Sequence, residues 1–142
     1  MRFWDTSALV PTLVDESSSL QMRESLASDR DVVVWWATVV ECVSAIARRE
    51  RAETAGPSSA RGAYESLGIL SASWSEISPS NAIRDDAVRL VRVHDLPAAD
   101  AFQLAAARAA SDDHPETLPF VTLDDRLALA ASREGFPVLG LS

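Results

Sequence analysis

Short apolar segments alternate with longer helical segments along the whole chain, and this alternation constrains the fold more than any other feature. Residues 2–5 and 31–36 are rich in β-branched and aromatic residues, which predicts two buried strands. Three more short strands are predicted at 73–78, 120–123 and 136–141. Strands that alternate with helices imply a parallel sheet that is covered on both faces. We therefore expect an α/β fold, namely a three-layer α/β/α sandwich with a central, mainly parallel sheet.

Caps, prolines and apolar spacing predict the helices between these strands. We expect the segment 111–119 to be a polar loop. Ser78 and Pro79 are the predicted N-cap and first helical residue of one helix, and Gly56 with Pro57 should end another. The predicted helices are 6–14, 17–29, 37–53, 58–70, 78–94, 97–110 and 124–132.

Length and composition predict one domain over residues 1–142. The chain has 142 residues, of which 47% are hydrophobic, and this is enough for a sizeable core. No apolar run is long enough to span a bilayer, and the N-terminus does not resemble a signal peptide. The single cysteine, Cys42, excludes an internal disulfide framework, so a reducing cytoplasm is the simplest location. We expect Cys42 to pack as a small buried hydrophobe rather than to act as a nucleophile.

The charge balance is acidic, with a formal net charge of −8. This argues against a protein that attracts nucleic acid over its whole surface. It does not exclude a nuclease, because acids that bind divalent cations make a site negative only while the site is empty. All thirteen basic residues are arginine, which suits bidentate contacts with phosphate, although a compositional bias explains this equally well.

Acidic side chains cluster where predicted strands end and predicted helices begin. Asp5 follows the first strand, and Glu41 lies in the first turn of the helix after the second. Asp124 and Asp125 follow the fourth strand, and Asp100 lies in the first turn of a further helix. Ligands of a parallel α/β sheet bind outside the carboxyl ends of its strands, so these acids are candidates for one common site.

Each of these acids also has a purely structural explanation. Asp5 and Asp124 could be N-caps, and Asp100 could complement the positive end of a helix dipole. The segment 38–41 fits a capping box, in which Glu41 bonds back to the cap. Taken together, however, four acids on one edge repel one another unless a cation intervenes. Oxygen-rich sites of this kind suit Mg²⁺ or Mn²⁺.

Other catalytic chemistries find less support in the residues. The two histidines, His94 and His114, lack the spacing of zinc ligands and are expected at the surface or in loops. The chain has no Walker-type phosphate loop and no G-x-S-x-G segment. It also has no lysine, which enzymes that form an aspartyl phosphate use to neutralise the phosphoryl group.

Four segments resemble the motifs of PIN-domain ribonucleases, in particular the VapC-type toxins of prokaryotic toxin–antitoxin pairs. The segments are FWDTSALVPTLVDE, WATVVECVSAIAR, LPAADAFQLAAARA and FVTLDDRLALAA, and they follow in order over essentially the whole chain. The resemblance implies an endoribonuclease that depends on Mg²⁺ or Mn²⁺. It places the acidic quartet of the family on Asp5, Glu41, Asp100 and Asp124, and the Thr/Ser positions that support the quartet on Thr6, Ser7 and Thr122. Asp95 and Asp125 are acids beyond the pattern of the family.

The same resemblance implies three partners: an RNA substrate, a cognate antitoxin protein and a second copy in a homodimer. No membrane partner is expected. Arg48, Arg49 and Arg51 are candidates for contacts with the RNA backbone, although a solvated helix end is the simpler interpretation. We expect some apolar residues near the N-terminus to line a groove for an antitoxin helix. The candidates are Val10, Leu13, Val14, Leu20 and Met22.

Two other functions stay open at this level. The domain could be catalytically silent and bind RNA or a protein through the same fold, or it could be a nuclease for single-stranded DNA. A metal-dependent cleavage assay on RNA and on single-stranded DNA separates all three functions.

Overall fold

One parallel sheet of five strands organises the chain. The computed structural model describes residues 1–52 and 57–141. The strand order in the sheet is β3-β2-β1-β4-β5, and every neighbouring pair is parallel. The strands are β1 (Arg2–Trp4), β2 (Val32–Trp35), β3 (Ser75–Ile77), β4 (Phe120–Val121) and β5 (Val138–Leu139). The α-helices are α1 (Thr6–Leu13), α2 (Ser19–Ser28), α3 (Thr38–Arg51), α4 (Pro57–Ser73), α5 (Asn81–Val93), α6 (Ala98–Ser111) and α7 (Asp125–Arg133).

The strands bury alternate side chains in two separate cores, because successive residues of a strand point to opposite faces. Phe3 and Phe120 stack at 5.3 Å between ring centroids in the core beneath α5, α6 and α7. Trp4 and Val121, the next residue of each strand, lie in the core beneath α1 to α4. Helices therefore cover both faces of the sheet, and the predicted three-layer α/β/α sandwich is confirmed.

Several predicted boundaries differ from the structure by one to three residues; α4, for example, ends at Ser73 and not at residue 70. Helix α5 begins at Asn81 with Ser80 as its N-cap, so the prediction of a cap at Ser78 and a first helical residue at Pro79 is wrong. The Ser80 hydroxyl accepts from Ile83 N at 3.1 Å, which satisfies a free amide of the first turn. The predicted loop 111–119 contains a short 3₁₀ helix over Pro115–Thr117. The predicted helix end around Glu53 and Gly56 lies outside the described residues.

The single cysteine and one of the two histidines are buried. Cys42 is fully buried in the core beneath α1 to α4, as predicted. Burial, with the charges of Glu41 and Asp5 acting in the same direction, raises the pKa of its thiol to about 12, so Cys42 carries no thiolate at neutral pH. His94 was expected at the surface or in a loop. It lies in the connection after α5, but it is buried there, with its Nε2 2.7 Å from Glu134 Oε2.

The parallel topology brings the ends of β1, β2 and β4 to one edge of the sheet. Helices α1, α3 and α7 begin at this carboxyl edge, because each follows one of these strands directly. Residues from the beginning, the first third and the end of the chain therefore lie close to one another at the N-termini of these helices. No helix in the described part of the chain is long and apolar enough to cross a membrane.

Candidate active site

Asp5 is the most deeply buried acid at the carboxyl edge, with 4% of its surface exposed. It is the N-cap of α1, and its Oδ2 accepts from Ser7 N at 3.3 Å. The same oxygen accepts from the hydroxyl groups of Ser7 and Thr122, the latter at 2.9 Å. Burial outweighs these hydrogen bonds and, together with the charge of Glu41, raises the pKa of Asp5 to about 6.

Thr122 is held against Asp5 by the backbone of β5 and the turn after it. Thr122 N donates to Leu139 O at 3.0 Å, which extends the pairing of β4 with β5. The next residue, Gly140, has a φ of 110°, and a Cβ at this position would clash with the carbonyl oxygen of Thr122. Glycine at 140 therefore permits the close approach that positions Thr122.

Glu41 faces α1 and α6 rather than its own helix end. Its Oε2 accepts from Gln103 Nε2 at 2.9 Å and from Thr6 Oγ1 at 3.3 Å. The N-cap of α3 is Ala37, and the hydroxyl of Thr38 is buried against Gln103. The capping-box interpretation of 38–41 is therefore wrong, because donors from two other helices bind the Glu41 carboxylate.

Asp124 and Asp125 point to different environments. Asp124 is the N-cap of α7, its Oδ1 accepts from Leu127 N at 2.9 Å, and its own N–H donates to Thr122 Oγ1 at 3.1 Å. Its capping role is therefore confirmed, yet it also lies beside the hydroxyl that bonds Asp5. Asp125 is the first residue of α7 and is exposed. The extra acid Asp95 is also exposed and pairs with Arg126 at 2.8 Å.

Asp100 connects the four acids electrostatically. It lies half-buried in the first turn of α6. Burial first, and then the charges of Asp5 and Asp124, raise its pKa to about 6 against the opposing charge of Arg126. Burial also raises the pKa of Glu41, and the charge of Asp100 acts in the same direction. Like-charge repulsion therefore couples Asp100 to each of the other three acids, Asp5, Glu41 and Asp124.

This arrangement of acids at a parallel sheet edge agrees with the family comparison, in which residues 2–132 match the PIN domain. The chain belongs to the PIN-domain family. PIN domains are typically metal-dependent nucleases. A comparison with curated proteins finds no match to this chain.

Two solved structures share the fold of this PIN domain at low sequence identity. PAE2754 from Pyrobaculum aerophilum is 17% identical with a TM-score of 0.64, and the match covers 91% of this chain and 83% of that one. FitAcB from Neisseria gonorrhoeae is 17% identical with a TM-score of 0.65, and the match covers 99% of this chain and 97% of that one. At this identity, the likeness establishes the fold alone.

The acids of this PIN domain suit a hard divalent cation, because carboxylate oxygens are its preferred ligands and several of these oxygens have no hydrogen bond in the described residues. Structural hydrogen bonds occupy Oδ2 of Asp5, Oε2 of Glu41 and Oδ1 of Asp124. Among the described residues, no hydrogen bond reaches the second oxygen of these three acids or either oxygen of Asp100. Within residues 1–52 and 57–141, no three His, Cys, Asp or Glu side chains form a preformed metal cage. Mg²⁺ suits such an open set, because it keeps several waters and takes only a few carboxylates.

A cleft of about 570 Å³ opens beside Glu41, and only one of the three candidate arginines lines it. Arg48 lines the cleft together with Glu41 and Ser44. Arg49 pairs with Glu16, and Arg51 is exposed at the end of α3. Of the three arginines, Arg48 is therefore the one that lines the cleft beside Glu41.

Sequence reasoning missed Gln103 and Thr38, which contact each other at 3.1 Å and are both fully buried. A signal for Gln103 was available, because it is a polar residue inside an Ala-rich apolar helix. It follows Asp100 by three residues, so both side chains lie on one face of α6.

Proposed function

We propose that this PIN domain is an endoribonuclease that depends on Mg²⁺ or Mn²⁺ and acts as the toxin of a VapC-type toxin–antitoxin pair in the cytoplasm. The observation that carries the proposal is the placement of four acids at the carboxyl edge, three of which hold one oxygen in structural hydrogen bonds. The VapC-like motifs support the assignment as a toxin, and the likeness to FitAcB supports the fold on which those motifs lie.

In this proposal, Asp5 and Asp100 are the principal metal ligands, and Glu41 and Asp124 complete the shell or orient water. A bound divalent cation supplies Lewis acidity, which lowers the pKa of water and offsets charge on the phosphate. The hydroxyl groups of Ser7, Thr122 and Thr6 hold the acids in place: the first two bond Asp5, and Thr6 bonds Glu41. Water attacks phosphorus and the bond to the 3′ oxygen breaks, which leaves a 5′-phosphate and a 3′-hydroxyl.

Arg48 is the proposed contact with the RNA backbone. It follows Glu41 by seven residues on α3, which corresponds to two helical turns or about 10 Å along the axis. Arg48 and Glu41 therefore line the same cleft about two helical turns apart. Arginine in this position can bind a phosphate next to the scissile one.

The deciding experiment is cleavage of end-labelled RNA and of single-stranded DNA of the same sequence, with Mn²⁺, with Mg²⁺ and with EDTA. We expect cleavage of RNA with either metal, no cleavage in EDTA, and little cleavage of DNA. RNA binding without cleavage in any metal would instead indicate a catalytically silent module. Equal cleavage of DNA would indicate a general single-strand nuclease.

The antitoxin is expected to bind a second groove of about 510 Å³ between the α1–α2 connection, α3 and α4. Leu13, Val14 and Ile46 give this groove an apolar floor, while Arg23 and Glu50 line it with charge. Three of the candidate residues are not part of its lining. Val10 lines the cleft beside Glu41 instead, Met22 is 1% exposed and belongs to the core, and Leu20 is 71% exposed outside the groove.

The measurement for this groove is amide hydrogen exchange of the chain alone and with its cognate antitoxin. We expect protection to rise in residues 12–16 and 59–66, because an apolar helix in the groove covers both segments. Helix α5, on the opposite face of the sheet, serves as the internal control and should not change. Unchanged exchange over residues 8–30 in a stable complex would contradict this location.

We also propose that the domain forms a homodimer, as the resemblance to VapC-type toxins implies. Light scattering at micromolar concentration is expected to give twice the monomer mass of 15.3 kDa. A monomer mass over the whole concentration range would exclude the dimer, and cleavage activity in that state would show that the site is complete in one chain.

A further inference from the structure

Gln103 connects three helices at the candidate site from a fully buried position. Its Nε2 lies 3.1 Å from Thr6 Oγ1, 3.1 Å from Thr38 Oγ1 and 2.9 Å from Glu41 Oε2. These residues belong to α1 and α3, whereas Gln103 belongs to α6. All three partners of this buried amide are side chains, and one of them is a carboxylate, so the position of Gln103 requires a specific explanation.

The orientation of the Gln103 amide is determined by Glu41. Among the described residues, Gln103 Oε1 is buried and has no hydrogen-bond partner. A rotation of the amide by 180° would give this oxygen two hydroxyl neighbours, because Thr6 and Thr38 can donate as well as accept. The same rotation would put it against the Glu41 carboxylate oxygen, and two acceptors at that distance repel each other. The amide therefore leaves its own oxygen unpaired in order to donate to Glu41.

The contacts of Gln103 also determine which oxygen of Glu41 is available. Gln103 and Thr6 both donate to Oε2. Oε1 is the oxygen left for another ligand. Because Gln103 and Asp100 are three residues apart on α6, the same helix carries one candidate metal ligand and the group that orients another.

We propose that Gln103 is a positioning residue that holds Glu41 as a one-oxygen ligand for a divalent cation and fixes its place relative to Asp100. This inference rests on the proposed function, since it requires that the acids bind a metal. Gln103 lies outside the acidic quartet. In this proposal Oε2 of Glu41 accepts the structural hydrogen bonds, and Oε1 binds the cation.

The test is Mn²⁺ binding to the full chain by titration calorimetry, which does not depend on cleavage. Gln103→Met removes the donor and keeps the length of the side chain, so we expect the Kd for Mn²⁺ to rise by roughly 10- to 100-fold. Cleavage of RNA by this variant should recover in part at saturating Mn²⁺, with an unchanged KM for RNA. Leu104→Met, at the adjacent fully buried position, controls for repacking of α6 and should bind Mn²⁺ as the wild type does.

Thr38→Val provides a second variant in case Gln103→Met does not fold. It removes only one partner of the amide, and a smaller rise of roughly fivefold in the Kd is expected. The inference is overturned if a folded Gln103→Met, or Thr38→Val in its place, binds Mn²⁺ as tightly as the wild type. It is also overturned if Leu104→Met weakens binding equally. If the wild type binds no Mn²⁺, the proposed function is wrong. If the wild type binds Mn²⁺ and the variant binds it equally well, only the role of Gln103 is wrong.

Discussion

Asp5→Asn is expected to abolish metal-dependent cleavage and at the same time to stabilise the metal-free protein. The asparagine oxygen can still accept from Ser7 and Thr122, and asparagine is an equally good N-cap for α1. The substitution therefore removes the charge and the free oxygen while the local fold is kept. We expect a loss in cleavage rate on the order of 1,000-fold or more, as for the removal of a group that stabilises charge in the transition state.

The gain in stability follows from the raised pKa of Asp5. The folded protein holds the Asp5 proton up to about pH 6, whereas the unfolded chain releases it near 3.8. The folded state thus binds more protons between these values, and its stability in EDTA falls as the pH rises from 4 to 6. The difference amounts to about 3 kcal/mol at neutral pH, and Asp5→Asn removes it. The raised pKa of Asp100 acts in the same direction.

Thermal melts in EDTA at pH 5 and pH 7.5 measure this effect. The wild type should melt lower at pH 7.5, and Asp5→Asn should lose about half of that difference, because Asp100 keeps its own raised pKa. Asp31→Asn is the matched control, because Asp31 is exposed and lies just before β2 at the opposite edge of the sheet. A wild type that melts higher at pH 7.5 than at pH 5 would contradict the raised pKa assigned to Asp5, and full cleavage by Asp5→Asn would exclude Asp5 as a ligand.

The second large effect is a difference between two adjacent aspartates. Asp124 lies beside Thr122 and contributes to the raised pKa of Asp100, whereas Asp125 is exposed. Asp124→Asn should therefore lower cleavage at saturating Mn²⁺ by roughly 100-fold, while Asp125→Asn should stay within about twofold of the wild type. Asparagine can still accept from Leu127 N, so α7 keeps its cap.

These two variants control for each other, because they make the same chemical change one residue apart. Equal losses of activity would show that the acids act through the overall charge of the site. Full activity of Asp124→Asn with loss in Asp125→Asn would make Asp125 the fourth acid. Melting temperatures in EDTA verify that both variants are folded, and Asp124→Asn should be slightly more stable because one repulsion at the empty site is gone.

The sequence was a good guide to secondary structure wherever the pattern is local. All five strands were predicted from short apolar segments, and the alternation of strands and helices was enough to predict the sheet and its two covered faces. The error at α5 is also local in origin, because Ser78-Pro79 and Ser80 are alternative caps two residues apart. Ser80 is the cap in the structure, since its hydroxyl reaches Ile83 N. Burial of His94 was missed because its partner, Glu134, is 40 residues away.

The sequence by itself determined which acids follow which strands and, through the parallel topology, that they share one edge. Only the tertiary structure decided how each acid is used. Glu41 bonds Gln103 across 62 residues, and Asp5 bonds Thr122 across 117. Packing also distinguishes Arg48, which lines the cleft beside Glu41, from Arg49, which pairs with Glu16. The physical reason is that strand and helix periods are encoded by neighbouring residues, whereas the direction of a carboxylate depends on donors that only folding brings within reach.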